Sequence, residues 1–203
     1  SLDDNVLRLA GRGHSAYDVE NASRLIKAEG FTLGHQIMPG LPGDTKEIDL
    51  ATIKKSIEMK PDIARIYPAL VIKDTPMETM YNRGEYEPYS LDMAVEVSRE
   101  MLKLYNAAKV KVIRIGLQPT DTIAEGKDVV AGPFHPAFRE LVEGSLICEN
   151  IKEKTNESSD IIIEINSKDI SKLYCNKKQY FNEFKKNRHG KVFVKTVDKL
   201  KRG

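Results

Sequence analysis

Helical and strand-like periodicities alternate three times along residues 1–120, and this alternation restricts the fold more than any other feature of the sequence. Apolar residues recur at helical spacing before and between three short segments rich in β-branched and aromatic residues. The predicted strands are 31–38, 62–67 and 110–117, and the predicted helices that separate them are 50–59 and 91–105. Strands separated by helices pair in parallel through right-handed crossovers. The sequence therefore predicts an α/β fold with a parallel sheet.

Polar side chains that can accept hydrogen bonds from backbone N–H groups mark the predicted helix starts. These are Ser1 with Asp4, Ser15 with Asp18, Asp44 with Glu47, and Ser90. Three strands cannot close a barrel, so the sequence predicts either a small open sheet or part of a larger barrel. Ligands of parallel sheets bind at the carboxyl ends of the strands. We therefore expect a binding site among residues 36–44, 65–73 and 114–120, together with the turn at 11–14.

The run Pro39-Gly40-Leu41-Pro42-Gly43-Asp44 directly follows the first predicted strand. Its glycines permit positive φ or a close approach of the backbone, its prolines stiffen the path, and the next helix offers unpaired N–H groups. A small-molecule site and a purely geometric strand-to-helix connector both fit this run. The spacing matches neither the P-loop nor the dinucleotide fingerprint, which disfavours the common nucleotide-binding folds.

Period-two alternation assigns polar side chains to one face of the predicted sheet. Gln36 faces away from the set Phe31, Leu33, His35 and Ile37, which we expect to pack on helices. The same alternation places Arg65 and Tyr67 on one face of their strand, and Val112 and Arg114 on one face of theirs. A ring of Gln36, Arg65, Tyr67 and Arg114 could hold a carboxylate or a phosphate. The alternative is that Arg65 and Arg114 pair with nearby acids.

The composition indicates a folded protein that does not cross a membrane. The 203 residues are 40% apolar and 31% charged, and no apolar stretch approaches the length of a bilayer span. No signal peptide opens the chain, so we expect the reducing cytoplasm. The four histidines have no paired metal-ligand spacing, which disfavours zinc hydrolysis. His35 is expected to be hydrogen-bonded rather than a general base.

The charge is divided unevenly, which indicates a separate C-terminal region. Residues 151–203 contain 14 Lys and Arg against 7 Asp and Glu, whereas residues 1–150 contain 18 against 23. Residues 150–160 are predicted to form a linker. The predicted domains are 1–122 and 151–203, and residues 123–150 are predicted to connect them. The predicted β-α-β elements of the last domain are 160–165, 168–186 and 192–197.

The basic C-terminal region could bind RNA. Aromatic residues available for stacking are Tyr174, Tyr180 and Phe193, among the basic clusters at 177–178, 185–188 and 199–202. The alternative is a solvated charged face on a small packing domain.

Several ordered motifs resemble the radical S-adenosylmethionine (SAM) superfamily, above all the radical domain of the Elongator catalytic subunit and, more distantly, oxygen-independent coproporphyrinogen III oxidase. The motifs are Ser1-Leu2-Asp3-Asp4, Arg12-Gly13-His14, and the runs at 35–44, 66–73 and 83–86. The resemblance covers about residues 1–120. It implies the C-terminal part of a partial (βα)6 TIM-like barrel, followed here by a small basic α/β appendage.

The resemblance also implies the cofactors of the parent enzyme, S-adenosylmethionine and a 4Fe-4S cluster. The run at 39–43 would flank the adenosine of the cofactor, and residues 66–68 would end the next barrel strand. The expected cofactor-binding residues are Gln36, Pro39, Gly40, Leu41, Pro42, Gly43, Tyr67 and Pro68. The expected catalytic residues are Arg65 and Arg114, and no metal ligand is expected.

The sequence departs from the family pattern because it lacks the Cys-x3-Cys-x2-Cys loop that holds the cluster. Cys148 and Cys175 are 27 positions apart and are expected to be buried thiols. The chain also starts with Ser1 in a helix-start signal, so we expect a fragment of a longer protein. We expect this fragment to bind neither cofactor and to be inactive alone, because the cluster supplies the electron that starts the chemistry.

Two other functions remain open at this point. A coproporphyrinogen oxidase-like oxidative decarboxylase would use Arg65 and Arg114 to grip propionate groups. A non-enzymatic RNA-binding module would use the basic region instead. A tRNA-modifying parent follows from the resemblance to the Elongator subunit. The expected partners are a small-molecule cofactor, RNA at 151–203, and a second copy of the chain at an exposed sheet edge.

Overall fold

The computed structural model describes residues 1–121, 123–124 and 126–201. The chain divides into two compact units, residues 1–138 and 139–203. The division falls inside the segment 123–150 that the sequence predicts as a connection, and the predicted domain bounds themselves stay a prediction. Some predicted features end on residues outside the described part of the chain: Thr122 at the end of the first domain, and Arg202 and Gly203 at the end of the basic region.

The first unit contains a three-stranded parallel sheet and the helices that cover it. Its elements are α1 (Asp4–Leu9), α2 (Ala16–Ala28), β1 (Gly34–Ile37), α3 (Lys46–Glu58), β2 (Ile63–Ile66), β3 (Val71–Ile72), α4 (Pro76–Asn82), α5 (Leu91–Ala107), β4 (Lys111–Ile115) and β5 (Val129–Ala131). The sheet order is β1-β2-β4, and both strand pairs are parallel. The predicted alternation of helices and parallel strands is confirmed.

Two of the predicted helix caps are confirmed. The Ser15 side chain accepts a hydrogen bond from the Asp18 N–H, and the Asp18 side chain accepts from the Ser15 N–H, which completes the capping box of α2. The Ser90 side chain caps α5. These side chains satisfy backbone donors that have no partner inside their helices.

The other two predicted caps are wrong. Asp3, not Ser1, caps α1, and Thr45, not Asp44, caps α3. The Asp44 N–H instead donates to the Leu41 C=O at 2.9 Å, and the Asp44 carboxylate accepts from the Leu41 N–H. This local turn keeps Asp44 out of the helix start, so the cap passes to the next residue.

The first unit also contains a short antiparallel pair of strands and a helix that the sequence does not predict. β3 and β5 pair through Val71 with Ala131 and Ile72 with Val129, and α4 begins directly after β3 behind the cap Thr75. A strand of two residues is too short to show a period of two, which explains why it was missed.

One face of the parallel sheet is buried under helices and the other is exposed. The buried side chains are His35 and Ile37 on β1, Ala64 and Ile66 on β2, and Val112 and Ile115 on β4. Leu33 is also buried, as predicted, whereas the prediction for Phe31 is wrong because its side chain is 68% exposed. β1 begins only at Gly34, so Phe31 precedes the strand and does not follow its alternation.

The second unit has the predicted β-α-β arrangement. After α6 (Phe138–Lys154), its elements are β6 (Ile161–Ile165), a 3₁₀ turn (Ser167–Asp169), α7 (Ile170–Leu173), α8 (Cys175–Lys186) and β7 (Val192–Thr196). β6 and β7 pair in parallel. The predicted linker at 150–160 is wrong in its first part, because α6 continues through Lys154. The single helix predicted over 168–186 is also wrong, because residues 176–178 have positive φ and separate α7 from the rest of α8.

The core of the second unit is formed by side chains of α6, β6, α7 and α8. Its buried members are Cys148, Ile163, Ile165, Leu173, Phe181 and Phe184. Cys148 and Cys175 are both buried and carry free thiols, as predicted. Burial raises the pKa of the Cys148 thiol to about 12, which keeps it protonated. Among the described residues, no helix is long and apolar enough to cross a membrane.

Candidate functional site

The corner formed by residues 39–43 begins two residues after the end of β1, at the carboxyl edge of the parallel sheet. Two backbone bonds tie this region to the end of β2: the Tyr67 N–H donates to the Ile37 C=O at 2.8 Å, and the Ala69 N–H donates to the Pro39 C=O at 2.9 Å. Residues 39–42 are buried. The corner is therefore a packed part of the fold rather than a loose loop.

Two side chains bond the Gly40 peptide groups directly, and a third bonds one of those two side chains. The Gly40 N–H donates to Asp49 Oδ2 at 3.2 Å, and the Gly40 C=O accepts from the Tyr86 hydroxyl at 2.6 Å. The Tyr89 hydroxyl donates to the same Asp49 oxygen at 2.9 Å. Gly40 has a φ of +78°, and a Cβ atom there would lie 2.8 Å from the Tyr89 ring. Only glycine fits this position without strain.

Burial makes these anchoring groups poor proton donors to water. It raises the pKa of Tyr86 and Tyr89 beyond their ordinary range, with the neighbouring carboxyl groups adding to the effect. The carboxyl group of Asp49, on the buried side of α3, also has a raised pKa, because it is desolvated and lies near Asp44. Both tyrosines therefore stay protonated at neutral pH, so that Tyr86 donates to the Gly40 C=O and Tyr89 donates to Asp49.

Gln36, Arg65 and Arg114 form one row across the exposed face of the sheet. Gln36 is the register partner of Arg65 on β2, and Arg65 is the register partner of Arg114 on β4. All three residues are exposed, and neither guanidinium forms an ion pair with a described residue. The structure thus brings the three predicted polar residues together.

The row includes Arg114 because β4 contains a bulge. Ala64 pairs with Val112 and the next residue, Arg65, pairs with Arg114, so β4 has one extra residue, Ile113, at this point. The predicted pairing of Val112 with Arg114 on one face is therefore wrong: Val112 is buried at 8% exposure, whereas Arg114 is exposed.

Tyr67 does not join this row. Its side chain is only 7% exposed, and Pro68 beside it is also buried. The prediction that Tyr67 shares the exposed face of Arg65 is wrong, because β2 ends at Ile66 and the chain leaves the pleat there. The Ile66 C=O still accepts from the Gly116 N–H at 2.8 Å, which keeps the ends of β2 and β4 together.

A cavity of about 260 Å³ opens beside the corner and along β1. Gln36, Met38 and Leu41 line it, together with Arg12 and His14 from the turn between α1 and α2. The Arg12 guanidinium reaches Met38 Sδ at 2.9 Å. The predicted turn at 11–14 thus contributes to the same region as Gln36 and Leu41, although it follows a helix rather than a strand.

The anchoring residues Asp49, Tyr86 and Tyr89 were not predicted as site residues. The sequence held one signal for Asp49: this acid falls on the apolar side of α3, and an acid on a buried face needs a partner. Tyr86 is the last residue of the motif at 83–86, but Gly40, which it contacts, lies 46 positions away in the sequence. No local pattern indicates such a distant contact.

His35 belongs to a buried chain of hydrogen bonds behind the sheet, as its predicted role requires. Its Nε2 lies 3.0 Å from Ser23 Oγ and its Nδ1 lies 2.7 Å from Ser56 Oγ. Ser56 Oγ in turn lies 2.8 Å from the Tyr105 hydroxyl. Burial, followed by the charge of Lys27, lowers the pKa of His35, so the ring is neutral at physiological pH.

The described residues cannot hold an iron–sulfur cluster. No group of three or more His, Cys, Asp or Glu side chains among them could bind a metal ion, and the two cysteines are buried in the second unit. Cysteine thiolates are the usual ligands of such clusters.

The aromatic residues of the basic region differ in their accessibility. Phe193 is 54% exposed and is the register partner of the 67% exposed Ile162. Tyr174 is half-buried: its ring packs edge-to-face on Phe181 and carries the Lys178 ammonium 4.5 Å from its centre. The most accessible predicted stacking residue is therefore Phe193.

Comparisons with known proteins agree with the predicted resemblance. Residues 61–147 match the family model described as the Radical_SAM C-terminal domain. Over 100 residues the chain is 38% identical to the tRNA uridine(34) acetyltransferase of Methanocaldococcus infernus, a match that covers 48% of this chain and 19% of that protein. Over 107 residues it is 32% identical to human Elongator complex protein 3, covering 51% of this chain and 20% of that protein.

A solved structure shares the fold. The archaeal Methanocaldococcus infernus Elp3 with an N-terminal deletion superposes with a TM-score of 0.60 and 28% sequence identity, covering 76% of this chain and 34% of that one. The chain spans about a fifth of the length of the curated relatives it matches. These matches confirm the resemblance to the radical SAM superfamily and to the Elongator catalytic subunit, and give no support to the coproporphyrinogen oxidase alternative.

Proposed function

We propose that this chain, a relative of the radical SAM proteins of the Elongator type, supplies the later strands of a partial (βα)6 barrel in an enzyme that acts on tRNA. The name of one group of relatives, tRNA uridine(34) acetyltransferase, supports tRNA as the substrate class. The chain alone is inactive, because its described residues offer no site for the cluster.

The observation that carries this proposal is the position of the corner at 39–43. It lies at the carboxyl edge of a parallel sheet, where ligands of such sheets bind, and next to a cavity lined by Gln36, Met38 and Leu41. An adenosine group needs an apolar surface for its base and a few polar groups to orient it. Leu41 and Met38 meet the first need, and Gln36 with the corner backbone meets the second.

Among the described residues no strand pairs with the outer edge of β1, and this supports a larger barrel. The Leu33 and Ile37 carbonyls accept hydrogen bonds from the β2 side, so by alternation the backbone groups of Gly34 and Gln36 point away from β2. We propose that a further parallel strand of the complete enzyme pairs with this edge. In the isolated chain the same edge is open to a second copy, which would give a dimer.

S-adenosylmethionine, bound in the complete enzyme together with a cluster that donates an electron, would supply the radical chemistry. Gln36 and the corner from Pro39 to Gly43 would hold its adenosine, while the buried Tyr67 and Pro68 support that surface from behind. The chain's own residues thus bind and orient the cofactor and leave its activation to residues elsewhere.

Arg65 and Arg114 are proposed to hold an anionic group of the substrate. Their guanidinium groups lie in register on the exposed face and form no ion pair with a described residue. Two adjacent guanidinium groups can bind one phosphate through several charge-assisted hydrogen bonds. The phosphate groups of tRNA supply such a ligand.

The test of the proposed function uses the complete protein that contains this chain. We expect its sequence to carry a Cys-x3-Cys-x2-Cys loop upstream of Ser1. We expect the complete protein, loaded with iron and sulfide without oxygen, to convert S-adenosylmethionine to 5′-deoxyadenosine when a reductant is added. A complete protein without the three cysteines, or with a loaded cluster and no 5′-deoxyadenosine, contradicts the proposal.

A second function, RNA binding by the basic region, is supported by its charge and by Phe193. The excess of 7 positive charges over residues 151–203 attracts phosphates, and the exposed Phe193 ring offers a stacking surface. If this proposal holds, tRNA binding weakens steeply as salt increases. Replacing Lys177, Lys178, Lys185 and Lys186 by Gln should reduce the salt dependence, whereas the control that replaces four lysines of the first unit, Lys54, Lys60, Lys73 and Lys109, should not.

A further inference from the structure

Two carboxyl groups hold consecutive peptide groups of the corner. Asp49 Oδ2 accepts from the Gly40 N–H at 3.2 Å, and Asp44 Oδ2 accepts from the Leu41 N–H at 3.3 Å. Asp49 has an exposed fraction of 0%. The two acids come from opposite sides of the cap Thr45, one in the turn and one inside α3. The path of the corner backbone therefore depends on both side chains.

The second oxygen of each carboxyl group has no donor. Asp44 Oδ1 and Asp49 Oδ1 are buried, and neither accepts a hydrogen bond from a described residue. The two carboxyl groups are nevertheless within hydrogen-bonding reach of each other. Two ionised carboxylates cannot form a hydrogen bond with each other, because both are acceptors only. One proton held between them would give both oxygens a partner. A single acidic hydrogen shared by the two carboxyl groups would therefore supply the donor that both buried oxygens lack.

We propose that Asp44 and Asp49 share one proton and together act as positioning residues for the corner, so that loss of this proton releases the Gly40 and Leu41 peptide groups. The relevance of this pair to cofactor binding rests on the proposed function of the corner. The shared proton itself depends only on the contacts within the first unit.

The electrostatic surroundings favour the protonated pair. Burial raises the pKa of Asp44, and burial followed by the charge of Asp44 raises the pKa of Asp49. The other titratable or charged groups that interact with the pair are Asp3, Tyr86, Tyr89 and the amino group of Ser1; Glu47 lies near Tyr89, and Arg12 lies near the Ser1 amino group. Asp3 also favours protonation of Asp44, the Ser1 amino group opposes it, and the two tyrosines are neutral donors.

The experiment compares Asp49→Asn with Asp49→Ala in the whole chain. Asparagine keeps an oxygen for the Gly40 N–H and the Tyr89 hydroxyl, and its amide nitrogen can donate to Asp44 Oδ1 in place of the shared proton. Alanine provides neither. Hydrogen exchange of the Gly40 amide is measured by NMR, together with the carboxyl ¹³C shifts of Asp44 and Asp49 between about pH 4 and 9.

In the wild type, we expect one of the two carboxyl signals to titrate well above the ordinary Asp range, and the protection of the Gly40 amide to fall as that proton is lost. Asp49→Asn should keep the protection at high pH. Asp49→Ala should lower it about 10- to 100-fold at every pH, because a buried donor is left without a partner. Asp62→Asn, an exposed acid, serves as the matched control and should change neither readout.

Titration of both carboxyl groups in the ordinary range, or equal loss of protection in Asp49→Asn and Asp49→Ala, would overturn the shared proton. None of these readouts uses S-adenosylmethionine. A failure of the proposed function would therefore leave them unchanged, and a failure of the shared proton would appear here alone.

Discussion

Arg65 on β2 and Arg114 on β4 are register partners in neighbouring parallel strands, although like charges directly opposite each other destabilise a sheet. The bulge at Ile113 places Arg114 in this row. Neither guanidinium forms an ion pair with a described residue. A fold that keeps two such groups side by side on an open face is suited to an anionic ligand that bridges them.

A bridging anion should therefore stabilise the chain through both arginines. We expect pyrophosphate to raise the Tm of the wild type, and Arg65→Gln or Arg114→Gln each to remove roughly half or more of that rise, because one guanidinium cannot bridge. The measurement is a thermal melt over a pyrophosphate titration. Arg83→Gln, at the exposed end of α4, is the control. An equal rise in all variants would show that the row does not bind the anion.

Gly40 should be less tolerant of alanine than Gly30, a glycine that also has positive φ but has open space around it. The strain of a left-handed residue and the 2.8 Å approach to the Tyr89 ring should together lower the free energy of unfolding by about 2–4 kcal/mol. Gly30→Ala is the matched control: its φ is +74° and nothing lies within 4 Å of the added Cβ, so only the strain of about 1–2 kcal/mol applies. Urea unfolding measures both. Equal losses would mean that Tyr89 yields to the new methyl group.

His35 should stabilise the first unit only where its ring is neutral. Its pKa is lowered in the folded state from the ordinary 6.5, so the unfolded chain takes up a proton at a higher pH than the folded chain does. The stabilising contribution is therefore present above 6.5 and is lost as the pH falls through the lowered value. We compare the free energies of unfolding of the wild type and His35→Leu at about pH 7.5 and 5.5. The difference between them should shrink at the lower pH.

Phe193 should contribute to RNA binding and not to stability. Phe193→Ser should change the free energy of unfolding by less than about 0.5 kcal/mol, because the ring is 54% exposed. It should weaken binding of single-stranded RNA about tenfold if a base stacks on the ring. Ile162→Ser removes the apolar neighbour without removing a ring and should weaken binding less. Equal binding by all three proteins would contradict a stacking role.

Much of the fold could be predicted because it follows from local periodicity. The order of helices and parallel strands, and the cap at Ser15, are encoded within a few residues. The bulge at Ile113 could not be predicted, because it depends on how β4 meets β2 rather than on the residues of β4. The burial of Tyr67 has a similar origin: the strand ends one residue earlier than its pattern continues.

The sequence indicated those parts of the candidate site that follow from local spacing or from strand alternation, such as the corner at 39–43 and the row of Gln36, Arg65 and Arg114. The corner at 39–43 and the polar residue Gln36 are evident from spacing alone. The side chains that hold the corner, Asp49, Tyr86 and Tyr89, reach it from 9 to 49 positions away, and tertiary packing decides those contacts. Sequence periodicity shows that Asp49 is buried but not which peptide group it binds.

The central claim is that the corner after β1 borders the adenosyl group of the cofactor. Hydrogen exchange measured by mass spectrometry on the complete, cluster-loaded protein, with and without S-adenosylmethionine, tests it most directly. We expect the cofactor to slow exchange in the peptide that contains residues 36–43, and to leave α2 (Ala16–Ala28) unchanged. Bound cofactor that protects other segments while residues 36–43 exchange at the same rate as before would contradict the claim.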